Sequence, residues 1–174
     1  MARTLTDVLA MFPDTAKQDW KRHKNGGGWV QHTAYADATA YVGPDALVGG
    51  SACVSDSAFV GDSALVSGTA LVGGSAVVGD SAVVGGGKLT GTALYIGGSR
   101  HPVALSSPTE VTIGCHTYTF AEWRKRAKAM ARAWKYTPAE MREYLEYVAL
   151  CEKRARAMKK AGVFVPIPRA EGGE

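Results

Sequence analysis

The chain has 174 residues, 46% of them apolar, and a formal net charge of +4. This length suits one domain with an appendage. The three cysteines, Cys53, Cys115 and Cys151, are odd in number and widely spaced, a pattern that does not indicate a disulfide framework or a metal knuckle. No segment has the length and apolarity of a membrane span or the pattern of a signal peptide, so we expect a soluble cytoplasmic protein without a membrane partner.

The first 25 residues predict an N-terminal helical cap. Residues 5–12 and 15–23 have helical spacing, and Thr15 and Gln18 are spaced as a capping box at the start of the second helix. One face of the first helix is apolar, at Leu5, Val8, Leu9 and Phe12. We expect this stripe to cover the open end of the repeat that follows, because an uncovered repeat end exposes unpaired edges. A helix that recruits a partner is the alternative.

Residues 26–98 are dominated by a six-residue repeat. From Ala34 to Gly87, variants of Ala-x-Val-Gly-x-Ser follow one another nine times, and one related phrase precedes them. In an extended strand the Ala and Val point the same way and the residue between them points the opposite way. The pattern resembles the hexapeptide repeat of left-handed parallel β-helices, in which three phrases form one triangular coil. This resemblance implies a mainly β fold with a short left-handed parallel β-helix of about three coils.

The residue between Ala and Val is predicted to face outward, and none of these residues is charged. Taking every third phrase gives three outer rows: Trp29/Leu47/Leu65/Val83, Tyr35/Cys53/Leu71 and Tyr41/Phe59/Val77. Three apolar faces exceed what a soluble monomer exposes, so we expect partners on the outside. The candidates are the C-terminal helices of the same chain and symmetry mates, and the β-helix resemblance implies a homotrimer.

The repeat breaks at Lys88 and resumes one residue out of register, which predicts that the tube ends or bulges near residues 86–92. Within residues 99–118, the segments before and after Ser107-Pro108 predict a β-hairpin. The period then becomes 3.6, which predicts helices at 120–134 and 138–161 and a C-terminal region, 119–174, that consists of a helical hairpin and a tail. The second helix has an apolar stripe that we expect to pack on the first helix or on an outer face. The stripe comprises Met141, Tyr144, Leu145, Val148 and Cys151.

The tail is predicted to be extended over residues 163–168, and the last residues are predicted to be disordered. The basic residues of the chain are concentrated nearby, because residues 124–160 contain twelve Lys and Arg. The charged residues of the six-residue repeat are instead acidic. Its acidic residues are Asp37, Asp45, Asp56, Asp62 and Asp80.

Three stretches carry a more specific resemblance. They are Gly-Gly-Gly-Trp-Val at 26–30, Ile-Gly-Gly-Ser-Arg-His-Pro at 96–102, and Ile-Gly-Cys-His-Thr-Tyr-Thr-Phe at 113–120 with Glu122-Trp123 after it. Together they resemble small phage and prophage proteins that combine hexapeptide coils with this hairpin and a helical tail. The resemblance spans residues 20–160. It implies the architecture and a phage setting, and most members of the group have no assigned activity.

The stretch after the repeat is also the best candidate for a ligand site. Gly97-Gly98 lets a backbone approach a ligand closely, and the donors that follow suit phosphate or carboxylate. The hairpin brings a second histidine nearby, and the first helix has a basic side that attracts anions. The predicted ligand-binding residues are Ser99, Arg100, His101, His116 and Arg124. The alternatives are a turn whose arginine satisfies carbonyl groups and a solvated basic helix face. We expect Cys115 to be a buried small residue.

Catalysis is not expected from this sequence. Hexapeptide acyltransferases use a histidine, often on a loop thrown out from a coil, but residues 34–87 contain neither a histidine nor an interrupting loop. His32 lies at a corner with no carboxylate fixed beside it. A zinc site of the γ-carbonic anhydrase type needs histidines on adjacent coils. We therefore expect no catalytic residues, no metal and no cofactor.

Our leading hypothesis is a phage protein, located in the cytoplasm of the infected host cell, that forms a trimer and sequesters a small anionic ligand. A nucleotide second messenger of bacterial immunity fits the donors, the aromatic rows and the phage resemblance. The alternative is a protein-interaction module that inhibits a host factor, and an acyltransferase is third. Nucleic acid is not an expected partner, because the corners are acidic and no DNA-binding motif is present.

Overall fold

The computed structural model describes residues 2–166 and confirms the mainly β fold. Its centre is a parallel β-helix of about three coils, with a helix before it and two helices after it. The coil strands are β2 (Trp29–Gln31), β3 (Tyr35–Ala36), β4 (Tyr41–Val42), β5 (Leu47–Val48), β6 (Cys53–Val54), β7 (Phe59–Val60), β8 (Leu65–Val66), β9 (Leu71–Val72), β10 (Val77–Val78), β11 (Val83–Val84) and β12 (Lys88–Leu89). They stack in parallel as face 1 (β2-β5-β8-β11), face 2 (β3-β6-β9-β12) and face 3 (β4-β7-β10).

The elements outside the coils come before and after them in the chain. They are α1 (Leu5–Met11), a one-turn 3-10 helix (Lys17–Asp19), β1 (Trp20–Arg22), β13 (Tyr95–Gly97), β14 (Pro102–Ser107), β15 (Glu110–Ile113), β16 (His116–Thr119), α2 (Phe120–Ala133), α3 (Pro138–Lys160) and β17 (Phe164–Val165). None of the helices in this part of the chain is long and apolar enough to cross a membrane.

The interior of the prism is built from the Ala and Val positions of the repeat, as the pattern predicts. Val54 and Ala58, for example, are fully buried, as are their counterparts in the following coil, Val72 and Ala76. Burial of one such valine contributes about 1.5–3 kcal/mol, and the same contact is repeated at every coil. The predicted outer rows are confirmed strand by strand, since Trp29 pairs with Leu47 and Leu47 with Leu65 on face 1.

Three corner residues adopt the left-handed conformation that favours glycine. Asp56, Asp62 and Asp80 have φ of 58°, 50° and 54°. The carboxylate of Asp56 accepts a hydrogen bond from the Gly74 N–H one coil later, at 2.8 Å. Asp62 accepts one from the Asp80 N–H at 3.1 Å. Aspartate tolerates this backbone better than most residues, and here its side chain also ties one corner to the next.

Replacing Asp56 tests this corner. Asp56→Ala places a Cβ-bearing residue without an acceptor in the left-handed region and should lower the free energy of unfolding by about 1–3 kcal/mol. Asp56→Asn keeps both an acceptor and tolerance of positive φ, so it should remain within about 0.5 kcal/mol of the parent protein. Urea unfolding followed by circular dichroism measures both. Equal losses in the two variants would contradict the role given to the carboxylate oxygen.

The predicted second N-terminal helix, residues 15–23, is wrong. Only a single 3-10 turn forms there, and β1 then pairs antiparallel with β2 at the edge of face 1. Thr15 does not start a helix, because its hydroxyl accepts a hydrogen bond from the indole N–H of Trp20 at 2.9 Å. Trp20 is only 5% exposed. Pairing with the open strand edge and burial of this side chain outweigh the local helical spacing.

Helix α1 packs on the side of the prism, whereas the sequence pattern predicted that it would cover the end. Val8 is fully buried in one cluster with Trp20 and Leu47, and Leu47 belongs to face 1. The apolar stripe of α1 finds its partner there because face 1 presents Trp29, Leu47 and Leu65 side by side. Face 1 is therefore covered within the subunit, while apolar side chains remain exposed on the other two faces. The exposed residues are Tyr35 and Leu71 on face 2 and Phe59 and Val77 on face 3.

The tube continues past the point where the repeat breaks. Lys88 pairs with Leu71 seventeen residues earlier, one fewer than the full coil, so Leu89 takes the interior position and is fully buried. The predicted slip therefore occurs, and of the two predicted outcomes, an end or a bulge, the end is wrong because the tube adds β12. Strand β17 pairs antiparallel with β12, which confirms an extended tail up to residue 166. The rest of the predicted tail and the predicted disorder lie outside the described residues.

An antiparallel sheet of four strands, β13-β14-β15-β16, follows the prism. The sequence predicted the hairpin of β14 and β15, and the alternating pattern continues over residues 115–119 into β16, whereas β13 was not predicted as a strand of this sheet. Both long helices begin at the predicted capping boxes, at Thr119 and Thr137. Helix α3 packs on α2, β14 and β17, which confirms the predicted packing on the first of the two C-terminal helices. This arrangement holds α3 against the loop that carries the candidate site.

Candidate ligand-binding cleft

A cleft of about 250 Å³ opens where three connections meet: the β13–β14 loop, the β15–β16 turn and the α2–α3 connection. The residues that line it are Arg100, His101, Ile113, Gly114, Cys115, His116 and Trp134. The sheet and the two helices position its walls, so the prism itself contributes no side chain to it. The site therefore belongs to the C-terminal part of the fold.

The β13–β14 loop is fixed by one buried tyrosine of α3. The Tyr144 hydroxyl accepts hydrogen bonds from the backbone N–H groups of Arg100 and His101, at 2.9 and 2.6 Å. It donates to the His101 carbonyl at 3.2 Å. The neighbouring Ser99 N–H donates to the Glu143 carboxylate at 2.8 Å. Four hydrogen bonds from a single helical turn hold the loop in one conformation, and this preorganises its side chains.

Arg100 places a guanidinium group at the cleft. One of its nitrogens donates to the Lys135 carbonyl at 3.1 Å and lies 3.9 Å from the Glu140 carboxylate. The group also lies 5.0 Å above the ring of Tyr136. A guanidinium carries five N–H donors, so these contacts leave donors for a ligand. The Thr137 backbone N–H and the Arg100 charge lower the pKa of Glu140, which therefore orients Arg100 as a carboxylate at neutral pH.

Two histidines contact the same tryptophan. The rings of His101 and Trp134 are 5.3 Å apart and nearly edge-on, and those of His116 and Trp134 are 5.2 Å apart. All three side chains are partly exposed at the cleft. An indole face flanked by two imidazoles and a guanidinium offers a flat ligand both a stacking surface and hydrogen-bond donors.

The β15–β16 turn brings His116 to the cleft. Gly114 has φ of +60°, and its N–H donates to the Pro102 carbonyl at 3.0 Å, which joins the turn to the start of β14. Cys115, expected to be buried, is exposed instead because a two-residue hairpin turn leaves its second side chain outside the sheet. The buried thiol is Cys151, and its burial raises its pKa to about 12. That thiol is therefore protonated at neutral pH.

The α2–α3 connection supplies two aromatic residues that the sequence interpretation missed. Lys135 has φ of +55°, and its N–H and that of Tyr136 bond back to the last turn of α2. This is a Schellman-type helix end. It places the ring centroids of Trp134 and Tyr136 5.4 Å apart. Burial raises the pKa of Tyr136 above its usual range, and its hydroxyl has no hydrogen-bond partner among residues 2–166. The sequence signal that could have identified these residues is the presence of two aromatic side chains in the short segment between α2 and α3.

Three of the five predicted site residues come together. Arg100, His101 and His116 line the cleft, and Ser99 lies beside it with its backbone engaged by Glu143. Arg124 lies elsewhere, near the start of α2, where it pairs with the Glu152 carboxylate. At 1.5 Å per residue, Arg124 is about 15 Å along the helix from Trp134. Its place in the predicted site is not supported by the geometry.

The cleft is equipped for binding. Its polar groups are cationic or neutral hydrogen-bond donors, and its floor is aromatic, a combination that recognises an anion attached to a flat ring. Within the described part of the chain, no group of three or more His, Cys, Asp or Glu side chains is placed to hold a metal ion.

Comparison with protein-family models, with curated proteins and with solved structures finds no match. The chemistry of the cleft is therefore the basis for assigning a function.

Proposed function

We propose that the protein is a non-catalytic binding protein that sequesters a small anionic ligand of the nucleotide class. The observation that carries this proposal is the pairing of Arg100 with Trp134 across one cleft. The guanidinium suits a phosphate, and the indole with its flanking histidines suits a base. The ligand site lies outside the prism, whose role is to support the sheet and to assemble the homotrimer that the hexapeptide resemblance implies.

The fixed loop supports a sequestering role. A protein that removes a ligand from solution must bind it tightly, and a preorganised site avoids the entropy cost of ordering a loop. The Tyr144 anchor meets this requirement, since three of the four hydrogen bonds that hold the loop end on its hydroxyl. The resemblance to small phage proteins supplies the setting. A nucleotide second messenger of bacterial immunity, captured in the cytoplasm of an infected cell, is the ligand that we propose.

A second candidate function is a protein-interaction module that inhibits a host factor. The exposed apolar residues of faces 2 and 3 favour it, with Tyr35 at 56% and Phe59 at 40% exposure. Acyl transfer ranks third. His32 and His101, the two histidines considered for it, belong to a corner of the first coil and to the cleft, respectively, and lie on separate elements.

Isothermal titration calorimetry tests the proposal with three probe sets: cyclic dinucleotides, cyclic oligoadenylates and cyclic ADP-ribose isomers. We expect at least one probe to bind with a dissociation constant in the micromolar range or below. Arg100→Ala should weaken that binding by about 100-fold, because a charge-assisted phosphate contact contributes about 3 kcal/mol. Trp134→Ala should weaken it by about ten-fold through loss of stacking.

Arg124→Ala is the matched control, because it removes the same charge from a position outside the cleft. Binding by this variant should equal that of the parent protein. Absence of heat with all three probe sets, or equal loss in the Arg100 and Arg124 variants, would overturn the proposed site. Retention of full affinity in Trp134→Ala would remove the aromatic ring from the recognition mechanism.

A further inference from the structure

The acidic residues of the repeat are distributed unevenly around the prism. Residues 34–87 contain no lysine or arginine. All five carboxylates of this stretch lie on the two corners that border face 3, and the corner between faces 1 and 2 carries none. The corner that enters face 3 carries Asp37 and Asp56, and the corner that leaves it carries Asp45, Asp62 and Asp80. Face 3 is therefore an apolar strip between two acidic columns.

The strip itself is aromatic and accessible. Tyr41 and Phe59 stack with their ring centroids 4.8 Å apart and their planes 6° from parallel. Phe59 and Val77 are 40% and 39% exposed. The Phe59 ring lies flat over Gly61, where a Cβ would come within 2.2 Å of it. A flat apolar surface with charged edges is the form that a protein docking site takes.

The complementary surface lies on the same chain, at the outer side of α3. Leu150 is 49% exposed there, and Lys153 and Arg154, three and four residues later, are exposed beside it. Residues at this spacing share one face of a helix. Of the two acids nearest Leu150, Glu152 is paired with Arg124 and Arg156 of its own subunit, and Glu146 is exposed four residues before the leucine. The outer side of α3 is thus an exposed leucine with two exposed cations, Lys153 and Arg154, on its C-terminal side and one exposed acid, Glu146, on its N-terminal side.

We infer that face 3 is the self-association surface of the protein and that its occupant is the outer side of α3 from a second copy. Apolar contact between Leu150 and the Phe59 strip is bordered by the acidic columns on one side and Lys153 and Arg154 on the other. The two patches differ, so the contact is heterologous and runs head to tail. Closure after three copies gives the trimer of the proposed function. The inference specifies the interface of that trimer and is tested separately from ligand binding.

Analytical ultracentrifugation of single variants tests the two patches. Phe59→Glu and Leu150→Glu should each convert the trimer to monomers. Their matched controls are Leu71→Glu on face 2, at 37% exposure, and Met11→Glu on α1, at 49%. Both controls should remain trimeric. These positions are exposed in the subunit, so each variant should keep the fold of the parent protein. Circular dichroism checks this.

Mixing the two disruptive variants distinguishes a heterologous contact from a symmetric one. The Phe59→Glu chain keeps a functional α3, and the Leu150→Glu chain keeps a functional face 3. An equimolar mixture should therefore form a one-to-one dimer that cannot close into a ring. A monomeric parent protein, dissociation by Leu71→Glu, or a mixture that stays monomeric would each overturn the inference.

Charge neutralisation gives an independent measurement. Asp62→Asn combined with Asp80→Asn removes two carboxylates from one acidic column while keeping residues that tolerate positive φ. The double variant should fold like the parent protein and dissociate more readily, with a dissociation constant raised about ten-fold or more. The parent trimer should also weaken as salt is added, since salt screens the charges at the edges of the contact. An oligomer indifferent to both changes would contradict the role given to these charges.

Discussion

Gly98→Ala is expected to abolish ligand binding in the cleft, whereas Gly97→Ala leaves it intact. A Cβ at Gly98 would lie 2.5 Å from the His101 carbonyl oxygen and 2.8 Å from the Tyr144 hydroxyl. Both distances are far below van der Waals contact, so the loop must leave its anchor. At Gly97 no atom lies within 4 Å of the added Cβ. The two variants make the same chemical change one residue apart.

The expected loss is about 100-fold or more in affinity for any nucleotide probe that binds the parent protein, since Arg100 and His101 are displaced together. Amide hydrogen exchange provides a readout that needs no ligand. The N–H groups of Arg100 and His101 should exchange faster in Gly98→Ala and at the parent rate in Gly97→Ala. Unchanged protection in Gly98→Ala would show that the Tyr144 anchor does not hold the loop.

The largest loss of stability is expected for Gly68→Ala, at a corner between faces 1 and 2. Gly68 has φ of +61°, and a Cβ there would lie 2.2 Å from the Gly85 carbonyl oxygen of the next coil. Gly74 has nearly the same φ, +65°, but no atom lies within 4 Å of its Cβ position. Gly74→Ala therefore measures the backbone strain alone, and Gly68→Ala adds a clash with a backbone atom of the stacked coil.

We expect Gly74→Ala to lower the free energy of unfolding by about 1–2 kcal/mol, the usual cost of a left-handed alanine. Gly68→Ala should lower it by more than about 4 kcal/mol, which corresponds to a drop in Tm of roughly 10 °C for a chain of this size. Thermal unfolding of both variants in parallel measures the difference. Equal Tm values would contradict the predicted clash, because they would mean that the two coils can move apart at Gly68 without loss of stability.

The prism could be predicted because its order is local. A period of two within each strand decides which side chain points inward, and a period of six repeats that decision along the chain. For this reason the sequence alone assigned Leu65 to face 1 and Phe59 to face 3 correctly. The slip at Lys88 was also visible, but its result was not. Whether the tube ends or adds a coil that is one residue shorter depends on a distant partner strand, here β17.

The cleft could be predicted only in part, because its residues meet through tertiary packing. Arg100, His101 and His116 were recognisable as polar groups beside glycines. Trp134 belongs to the site only because of where α2 ends. Tyr144 was correctly assigned to the apolar stripe of α3, yet spacing along a helix carries no information about the target of its hydroxyl. For the same reason the segment that became β1 was mistaken for a helix, since its partner β2 decides its conformation.

The pairing of β17 with β12 has a consequence for synthesis in the cell. Each coil can stack on the previous one as it leaves the ribosome, because the partners are only eighteen residues apart. Strand β12, at the edge of the last coil, cannot pair with β17 until about 75 more residues have been translated. This takes roughly 4–15 seconds at ordinary translation rates. During that interval a nascent chain presents an open strand to its neighbours on the same messenger RNA. Lys88, which lies at the outward position of this edge, carries a charge that opposes such pairing.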